Sequence, residues 1–193
     1  MIPVLILAAG ASSRMRGADK CLKIVDGQPL LRRIARAGSE VGDTFVALHH
    51  HAPARLAVLE GLAVTPLFVP QAAEGLSGSL RGAVAGLPPC DAVLVVLADL
   101  PRIGAAEMRA VIAARSAHPE ALIWRGATAD GAPGHPTLFD ASLLPAFADL
   151  SGDTGAAPLI ARHRDRTVLV PFADDRARLD LDTLEDWAAF IAK

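Results

Sequence analysis

The sequence has few cysteines, little net charge and no long hydrophobic run, and each shortage argues against a class of protein. Cys21 and Cys90 stand far apart and outside any Cys-x-x-Cys or Cys/His spacing, which disfavours a disulfide framework or a zinc finger. The formal net charge of −2 provides no overall field that would attract nucleic acid or a membrane surface. The apolar opening, residues 1–10, lacks a basic leading segment and falls short of the roughly 20 residues of a membrane span. We therefore expect a cytoplasmic protein that binds neither nucleic acid nor membrane.

Aliphatic runs alternate with segments of helical spacing along the whole chain. The 193 residues suffice for one well-buried domain and are short for two, so residues 1–193 are expected to form a single domain. Continuous apolar runs at 3–8 and 92–98 are typical of strands buried on both faces of a parallel sheet. Helical spacing follows at 29–41 and again at 104–118. This alternation predicts an α/β fold, a three-layer sandwich with a mostly parallel, Rossmann-like sheet and helices on both faces.

Three polar or glycine-rich loops follow predicted strands, at residues 7–20, 70–79 and 98–102. In an open α/β sheet, ligands bind at the carboxyl ends of the strands. We therefore expect the three loops to meet and form a binding site.

The first of these loops reads LAAGASSRMRGADK, from Leu7 to Lys20. Its small residues let a ligand approach the backbone closely, while Arg14 and Lys20 add positive charge. Backbone N–H groups, an arginine and a lysine together suit a triphosphate. Neither a Walker A motif nor Gly-x-Gly-x-x-Gly is present. Taken alone, these residues are equally typical of a strand-to-helix turn with solvated cations.

The same loop resembles the signature Leu-Ala-Ala-Gly-x-Ser-x-Arg-Met-Gly-x-x-Lys of nucleotidyltransferases, most closely the molybdenum cofactor cytidylyltransferases. Five further motifs follow in the order of that family: EGLSGSL (74–80), LADLP (97–101), GHPTLF (134–139), GDTGA (152–156) and LDLDTLEDW (179–187). The resemblance spans nearly the whole chain and implies the fold of the nucleotide-diphospho-sugar transferases. The activity that it implies is transfer of CMP from CTP to the terminal phosphate of molybdopterin or the molybdenum cofactor, with release of pyrophosphate.

The resemblance also implies roles for individual residues. The implied nucleotide-binding residues are Leu7, Ala8, Ala9, Gly10, Ser12, Arg14, Lys20, Gly75, Leu76, Ser77 and Ser79. Arg14, Lys20 and Asp99 are the implied catalytic residues. One extra residue stands between Met15 and the glycine of the signature, which shifts the alignment up to Lys20. Members that prefer GTP tend to carry Leu-Ala-Gly-Gly, so Ala-Ala-Gly here implies CTP.

Asp99 ends the most apolar predicted strand, where an unpaired carboxylate is costly to desolvate and a cation is a sensible partner. The resemblance implies that Asp99 binds Mg²⁺, with Asp180 or Asp182 as a second ligand. Taken alone, Asp99 is also typical of a cap for the following turn, Asp182 of a cap for the last helix, and Ser77 of a cap for the helix that begins near it.

His135, with Gly134 and Pro136, is the implied binding site of the acceptor, although a lone histidine is more often structural. The implied protein partner is a molybdoenzyme or its chaperone. Two other functions remain open: a sugar-phosphate or polyol-phosphate nucleotidyltransferase, and a non-catalytic carrier that delivers nucleotide or cofactor to a molybdoenzyme. Cys21 and Cys90 are expected to be packing residues.

Overall fold

The computed structural model describes residues 1–10, 18–181 and 183–191. The strands are β1 (Val4–Leu7), β2 (Ile24–Val25), β3 (Gln28–Pro29), β4 (Thr44–Leu48), β5 (Val64–Phe68), β6 (Ala92–Leu97), β7 (Ile123–Ala127), β8 (Pro133–Asp140) and β9 (Thr167–Pro171). The α-helices are α1 (Leu30–Ser39), α2 (Pro53–Ala57), α3 (Leu76–Ala85), α4 (Ala105–Ala117), α5 (Ala157–Arg162) and α6 (Leu184–Ile191). Short 3₁₀ helices occupy Lys20–Leu22, Pro70–Glu74, Ala141–Asp149 and Arg164–Arg166.

The central sheet has the strand order β5-β4-β1-β6-β8-β7-β9. All neighbouring pairs are parallel except those of β8, which runs antiparallel to both β6 and β7. The loop between β7 and β8 is short, and a short connection allows only an antiparallel neighbour. β1 is buried at every position, as expected of a strand covered on both faces. The predicted mostly parallel sheet is confirmed.

Alternation along β6 divides the core into two layers. Leu94 and Val96 face the side covered by α1 and α4, whereas Val93 and Val95 face the side covered by α3, α5 and the 3₁₀ helix at 141–149. The predicted three-layer arrangement is confirmed. No helix within the described residues is long and apolar enough to cross a membrane.

A two-stranded hairpin, β2–β3, follows the first loop and was not predicted by the hydrophobic pattern. Asp26 and Gly27 form its turn with φ of 50° and 77°, the left-handed region that the Asp-Gly pair adopts readily. Val25 from the hairpin and Leu30 at the start of α1 pack against Leu181 and Trp187 from the end of the chain. The hairpin therefore joins the segment after the first loop to the C-terminal segment.

Candidate active site

The carboxyl ends of β1, β4, β5 and β6 lie at one edge of the sheet, because these four strands are parallel neighbours. The loops that leave them meet at this edge, as predicted, and surround a cavity of about 470 Å³, the first cavity. Its walls include these predicted site residues: Leu7, Ala8, Ala9, Gly10, Lys20, Gly75, Leu76, Ser79 and Asp99.

The backbone at the end of β1 is held in the sheet up to Ala8, whose N–H donates to the Ala47 carbonyl at 3.0 Å. Gly10 follows at the exposed rim of the first cavity. A Cβ added at Gly10 would meet no protein atom within 4 Å. Packing within the described residues therefore does not require glycine there, and the open space would let a ligand come close to the backbone.

Lys20 and Asp99 form an ion pair in the wall of the first cavity, through Nζ and Oδ2. Both side chains are largely shielded from solvent, at 18% and 15% exposed. The other carboxylate oxygen of Asp99, Oδ1, is buried and accepts no hydrogen bond within the described part of the chain. A buried carboxylate oxygen without a donor is costly, so this atom is suited to bind a cation. Neither carboxylate oxygen of Asp99 accepts a backbone N–H among the described residues, so the alternative role as a cap for the following turn is not observed there.

Arg55 of α2 joins the two described ends of the first loop. Its Nε and one terminal nitrogen donate to Asp19 at 2.7 and 3.0 Å, and its other terminal nitrogen donates to the Ala8 carbonyl at 2.6 Å. The residue is only 7% exposed. Next to this ion pair, burial raises the pKa of the Cys21 thiol to about 12, which leaves it an uncharged packing residue. Sequence analysis did not identify Arg55, because nothing local links it to Asp19.

The N-terminus of α3 forms the opposite wall of the first cavity. Gly75 has a φ of 95°, and a Cβ there would lie 2.6 Å from Oδ1 of Asp153. This carboxylate oxygen accepts the Leu76 N–H at 2.9 Å, so Asp153 caps α3 from the GDTGA segment. Ser79 lines the cavity and donates to the Gly75 carbonyl at 3.1 Å.

Ser77 lies on the inner side of α3. It is fully buried, lines neither large cavity, and its hydroxyl donates to the Gly155 carbonyl at 3.3 Å. The side chain of Ser77 therefore neither faces the first cavity nor caps α3, so both predictions for it are wrong. It joins α3 to the segment that carries Asp153.

A second cavity, of about 550 Å³, lies beside the first between one face of β6–β9 and α5. The two cavities share Leu7, Leu76 and Leu97 in their walls. The walls of the second cavity are largely apolar, with His135 and Arg125 among the few polar groups. Burial first, and then the nearby Arg125, lower the pKa of His135 to about 4. The imidazole is therefore neutral at pH 7.

Of the three predicted acceptor residues, only His135 reaches the second cavity. Gly134 and Pro136 are buried in β8 and line neither large cavity. A side chain at Gly134 would collide with the backbone of Ala177, so this glycine is required by packing. The predicted contact of Gly134 and Pro136 with the acceptor is therefore wrong for the walls of this cavity. Both residues instead belong to the buried part of β8 that flanks His135.

The remaining predicted residues lie elsewhere. Ser12, Arg14 and Asp182 are outside the described residues. Asp180 is exposed and lines a separate, small cavity of about 150 Å³ with Arg102. It does not line the first cavity with Asp99, and its role as a second metal ligand stays a prediction.

The cap of α6 is Thr183, which the sequence analysis missed in favour of Asp182. Thr183 accepts the Asp186 N–H at 3.1 Å, and the carboxylate of Asp186 accepts the Thr183 N–H at 2.8 Å. This reciprocal pair is a capping box of the Thr-x-x-acid type.

A family model and the curated relatives of this chain both indicate a nucleotidyltransferase. A family model described as a MobA-like NTP transferase domain matches residues 4–167. The chain is similar to a molybdenum cofactor guanylyltransferase of Burkholderia vietnamiensis, with 32% identity over 195 residues that cover 96% of this chain and 93% of the relative. A protein of the same name from Bordetella pertussis is 30% identical over 188 residues, covering 94% and 92% of the two chains.

Solved structures show the same similarity in three dimensions. The crystal structure of Rv0371c from Mycobacterium tuberculosis H37Rv has a TM-score of 0.81 and 27% identity, and covers 100% of this chain and 98% of that chain. A second crystal structure of Rv0371c, in complex with manganese, has a TM-score of 0.78 and 26% identity over the same shares of the two chains.

Proposed function

This chain belongs to the MobA-like NTP transferase domain family, and from that membership and its two adjoining cavities we propose that it transfers a cytidylyl group from CTP to the terminal phosphate of molybdopterin or the molybdenum cofactor. The observation that carries the proposal is the shared wall of the cavities beside Asp99. A nucleotide in the first cavity and an acceptor in the second would lie side by side, with their phosphates near the Lys20–Asp99 ion pair.

The reaction that we propose is a single in-line displacement. An oxygen of the acceptor phosphate forms a bond to the α-phosphorus of the nucleotide, and the bond from that phosphorus to the leaving pyrophosphate breaks. No covalent intermediate with the protein is needed. Positioning and neutralisation of charge supply the catalysis: backbone N–H groups around Gly10 approach the triphosphate, and Lys20 offers a positive charge in a shielded wall. Arg14 is proposed to act with Lys20.

The divalent cation proposed for Asp99 is Mg²⁺. The chemistry of the site fits, because Oδ1 of Asp99 is a buried carboxylate oxygen without a donor within the described residues, and Mg²⁺ is held by one or two carboxylates together with substrate phosphates. When bound, the ion would neutralise charge that develops on the phosphate oxygens. The manganese complex of Rv0371c supports a divalent cation in a similar fold. Asp180 and Asp182 stay candidates for a second ligand.

CTP is proposed over GTP because of Ala9, which lines the first cavity where the GTP-using signature has glycine. The second candidate is GTP, since the curated relatives from Burkholderia vietnamiensis and Bordetella pertussis are named guanylyltransferases. The two candidates differ in the nucleotide alone and share the same reaction.

The apolar lining of the second cavity favours one chemical class of acceptor over another. A sugar phosphate presents many hydroxyl groups, each of which needs a polar partner when it is buried. The walls here are largely apolar, which favours an acceptor with a flat, weakly hydrated body such as a tricyclic pterin. The sugar-phosphate alternative is therefore less well supported than the pterin.

Release of pyrophosphate tests the proposal. Purified protein with Mg²⁺ and molybdopterin is compared across CTP, GTP, ATP and UTP, with the Asp99→Asn variant as the inactive control. Turnover mainly with CTP supports the proposal in full, and turnover mainly with GTP supports the second candidate. Folded protein that turns over none of the four contradicts both and favours a sugar phosphate as acceptor or a non-catalytic carrier.

A further inference from the structure

Arg125 is a half-buried cation in the wall of the second cavity, and it has no counter-ion among the residues that the structure describes. It lies on β7, and a terminal nitrogen donates to the Gly134 carbonyl at 3.2 Å. Its Nε is buried and has no hydrogen-bond partner within the described residues, where no carboxylate forms an ion pair with it either. Burial and the nearby Arg178 both lower the pKa of Arg125, so its surroundings disfavour the charge that it carries.

Such an arrangement is costly for the protein alone. A guanidinium taken out of water needs an anion or a full set of acceptors to offset the loss of hydration. Arg125 faces one carbonyl, a neutral imidazole and a second arginine. The missing element is a negative charge, and the cavity in front of Arg125 leaves room for one to be supplied by a ligand.

His135 gives a second, independent observation in the same cavity. Its Nδ1 is buried without a partner in the described part of the chain. A neutral imidazole has one N–H and one acceptor nitrogen, and the tautomer with the proton on Nε2 leaves Nδ1 able to accept a hydrogen bond. Two side chains that each keep one unpartnered polar atom within the described residues, Nε of Arg125 and Nδ1 of His135, therefore line one apolar cavity, and a ligand with an anionic group and an N–H donor would satisfy both.

We propose that Arg125 binds an anionic group of the acceptor and thereby selects the acceptor, with His135 receiving an N–H group from the same molecule. This inference rests on the proposed function for the identity of the acceptor. Molybdopterin carries negative charge at two places, the phosphate and the dithiolene sulfurs, and its pterin ring has N–H donors. The phosphate and the dithiolene are both compact anions that can accept two hydrogen bonds from a guanidinium group, and this is the chemistry that Arg125 would recognise.

The backbone register locates Arg125 relative to the reacting centre. Arg125 is paired with Thr137, and Thr137 with Val95, so Arg125 lies two strands from β6 and level with Val95. Strands are spaced by about 4.8 Å, which puts about 10 Å between Arg125 and β6. Asp99 follows Val95 by four residues, or about 13 Å along the strand direction. Arg125 therefore contacts the part of the acceptor that extends away from Asp99.

Binding measured without turnover tests the inference. We would measure the dissociation constants of molybdopterin and of CTP by anaerobic calorimetry for the wild type, Arg125→Gln, Arg125→Lys and Arg162→Gln. Arg162 is the control, because it is exposed at the end of α5 and lines neither large cavity. We expect Arg125→Gln to weaken molybdopterin binding by about tenfold or more, with Arg125→Lys intermediate, because a charge-assisted hydrogen bond to the anion is lost. Binding of CTP should stay within about twofold in every variant, and Arg162→Gln should change neither constant.

A second ligand tells which anion Arg125 contacts. Molybdopterin alkylated on both sulfurs keeps its phosphate and loses the charge of the dithiolene. We expect the sulfurs to be the contact, because the acceptor phosphate is proposed to lie near Asp99: Arg125→Gln should weaken molybdopterin and leave the alkylated form unchanged. Equal weakening of both ligands would make the phosphate the contact and contradict the proposed position of that phosphate.

The outcomes also separate this inference from the proposed function. Unchanged molybdopterin binding in Arg125→Gln, in a protein that turns over, overturns the inference alone. Wild type that binds molybdopterin through Arg125 but releases no pyrophosphate overturns the proposed function alone. A variant that loses CTP and molybdopterin binding together, with a lowered melting temperature, shows a structural role for Arg125 and overturns the inference, and so does wild type that binds no molybdopterin.

Discussion

Arg55 makes a bidentate ion pair with the carboxylate of Asp19 through Nε and one terminal nitrogen, and its other terminal nitrogen donates to the Ala8 carbonyl. One buried side chain thus fixes the residue before Lys20 and the residue that continues β1. Arg55 itself does not line the first cavity, so we expect it to act on the site through Asp19 and the neighbouring Lys20.

Arg55→Lys should raise the KM for the nucleotide several-fold and leave molybdopterin binding unchanged. Lysine keeps the charge but cannot make the bidentate contact, so the first loop loses its fixed position. We expect a loss of about 2 kcal/mol in the free energy of unfolding, less than for a fully buried pair because Asp19 is partly exposed. Steady-state kinetics and denaturant titration measure the two effects. Arg32→Lys is the control, since Arg32 also donates to two carbonyls but lines neither large cavity. If the nucleotide KM rises equally in both variants, the rise comes from lowered stability of the protein and not from the contact between Arg55 and Asp19.

Asp99→Ala should abolish turnover and leave the fold intact. The carboxylate ends β6 in a cavity wall, and removing it deletes the oxygen that we propose for the cation while the partly exposed Lys20 can regain water. The expected fall in turnover is about a thousandfold or more, as for other charge-stabilising groups. Pyrophosphate release and circular dichroism measure activity and fold. Asp91→Ala, at the surface near the N-terminus, is the matched control, and a folded Asp99→Ala protein with normal turnover would remove Asp99 from the mechanism.

Lys20→Ala should lower turnover more than nucleotide affinity. Lys20 contributes its charge beside Asp99, where we propose that the cytidylyl group is transferred. Backbone groups of the first loop are proposed to hold the triphosphate as well. A charge that acts mainly in the transition state changes kcat more than binding. Single-turnover rates and nucleotide titration separate the two quantities. Equal losses in both would assign Lys20 to ground-state binding, and unchanged kinetics would remove Lys20 from the mechanism.

Ala9→Gly should shift the nucleotide preference toward GTP. The methyl group of Ala9 forms part of the first cavity, and its removal gives the larger purine more room next to the backbone. The measurement is the ratio of kcat/KM for CTP to that for GTP, which we expect to fall about tenfold. Ala8→Gly removes a neighbouring methyl and should alter the ratio less. A ratio that stays constant in Ala9→Gly would locate the choice of base outside this position.

His135 should make the protein less stable as the pH falls from about 6.5 to about 4. The folded-state pKa is lowered to about 4, so the unfolded chain binds a proton at His135 in this range while the folded chain does not. Above pH 6.5 both states are neutral and the effect vanishes. His135→Asn should therefore lose about 3 kcal/mol less stability than the wild type between pH 7 and pH 4, measured by denaturant titration. If the free energy of unfolding falls by the same amount in the two proteins over this pH range, the pKa of His135 is not lowered in the folded state.

Sequence reasoning located the parts of the site that follow from strand order. Leu7 to Gly10 and Asp99 each end a buried parallel strand, and such ends meet at one edge whatever the details of packing. The same reasoning misjudged Ser77, because a serine near a helix start has the same local pattern whether it faces a ligand or the core.

Partners distant in sequence leave no local pattern at all. Asp153 caps a helix that begins 77 residues earlier, and Arg55 binds an aspartate 36 residues before it. Arg125 is a single arginine in a strand, and only the folded sheet shows that no carboxylate in the described chain pairs with it. The β2–β3 turn is different, since the Asp26-Gly27 pair is a recognisable hairpin signal that hydrophobic periodicity alone does not report.

The cluster of Val25, Leu30, Leu181 and Trp187 has a consequence for synthesis of the protein. Val25 and Leu30 follow soon after Lys20, whereas Leu181 and Trp187 are made much later in translation. A nascent chain can pair its first strands early, yet the hairpin behind Lys20 lacks half of its apolar support until residues 181–187 have left the ribosome. The site that begins at Leu7 therefore matures only after this distant segment has been made.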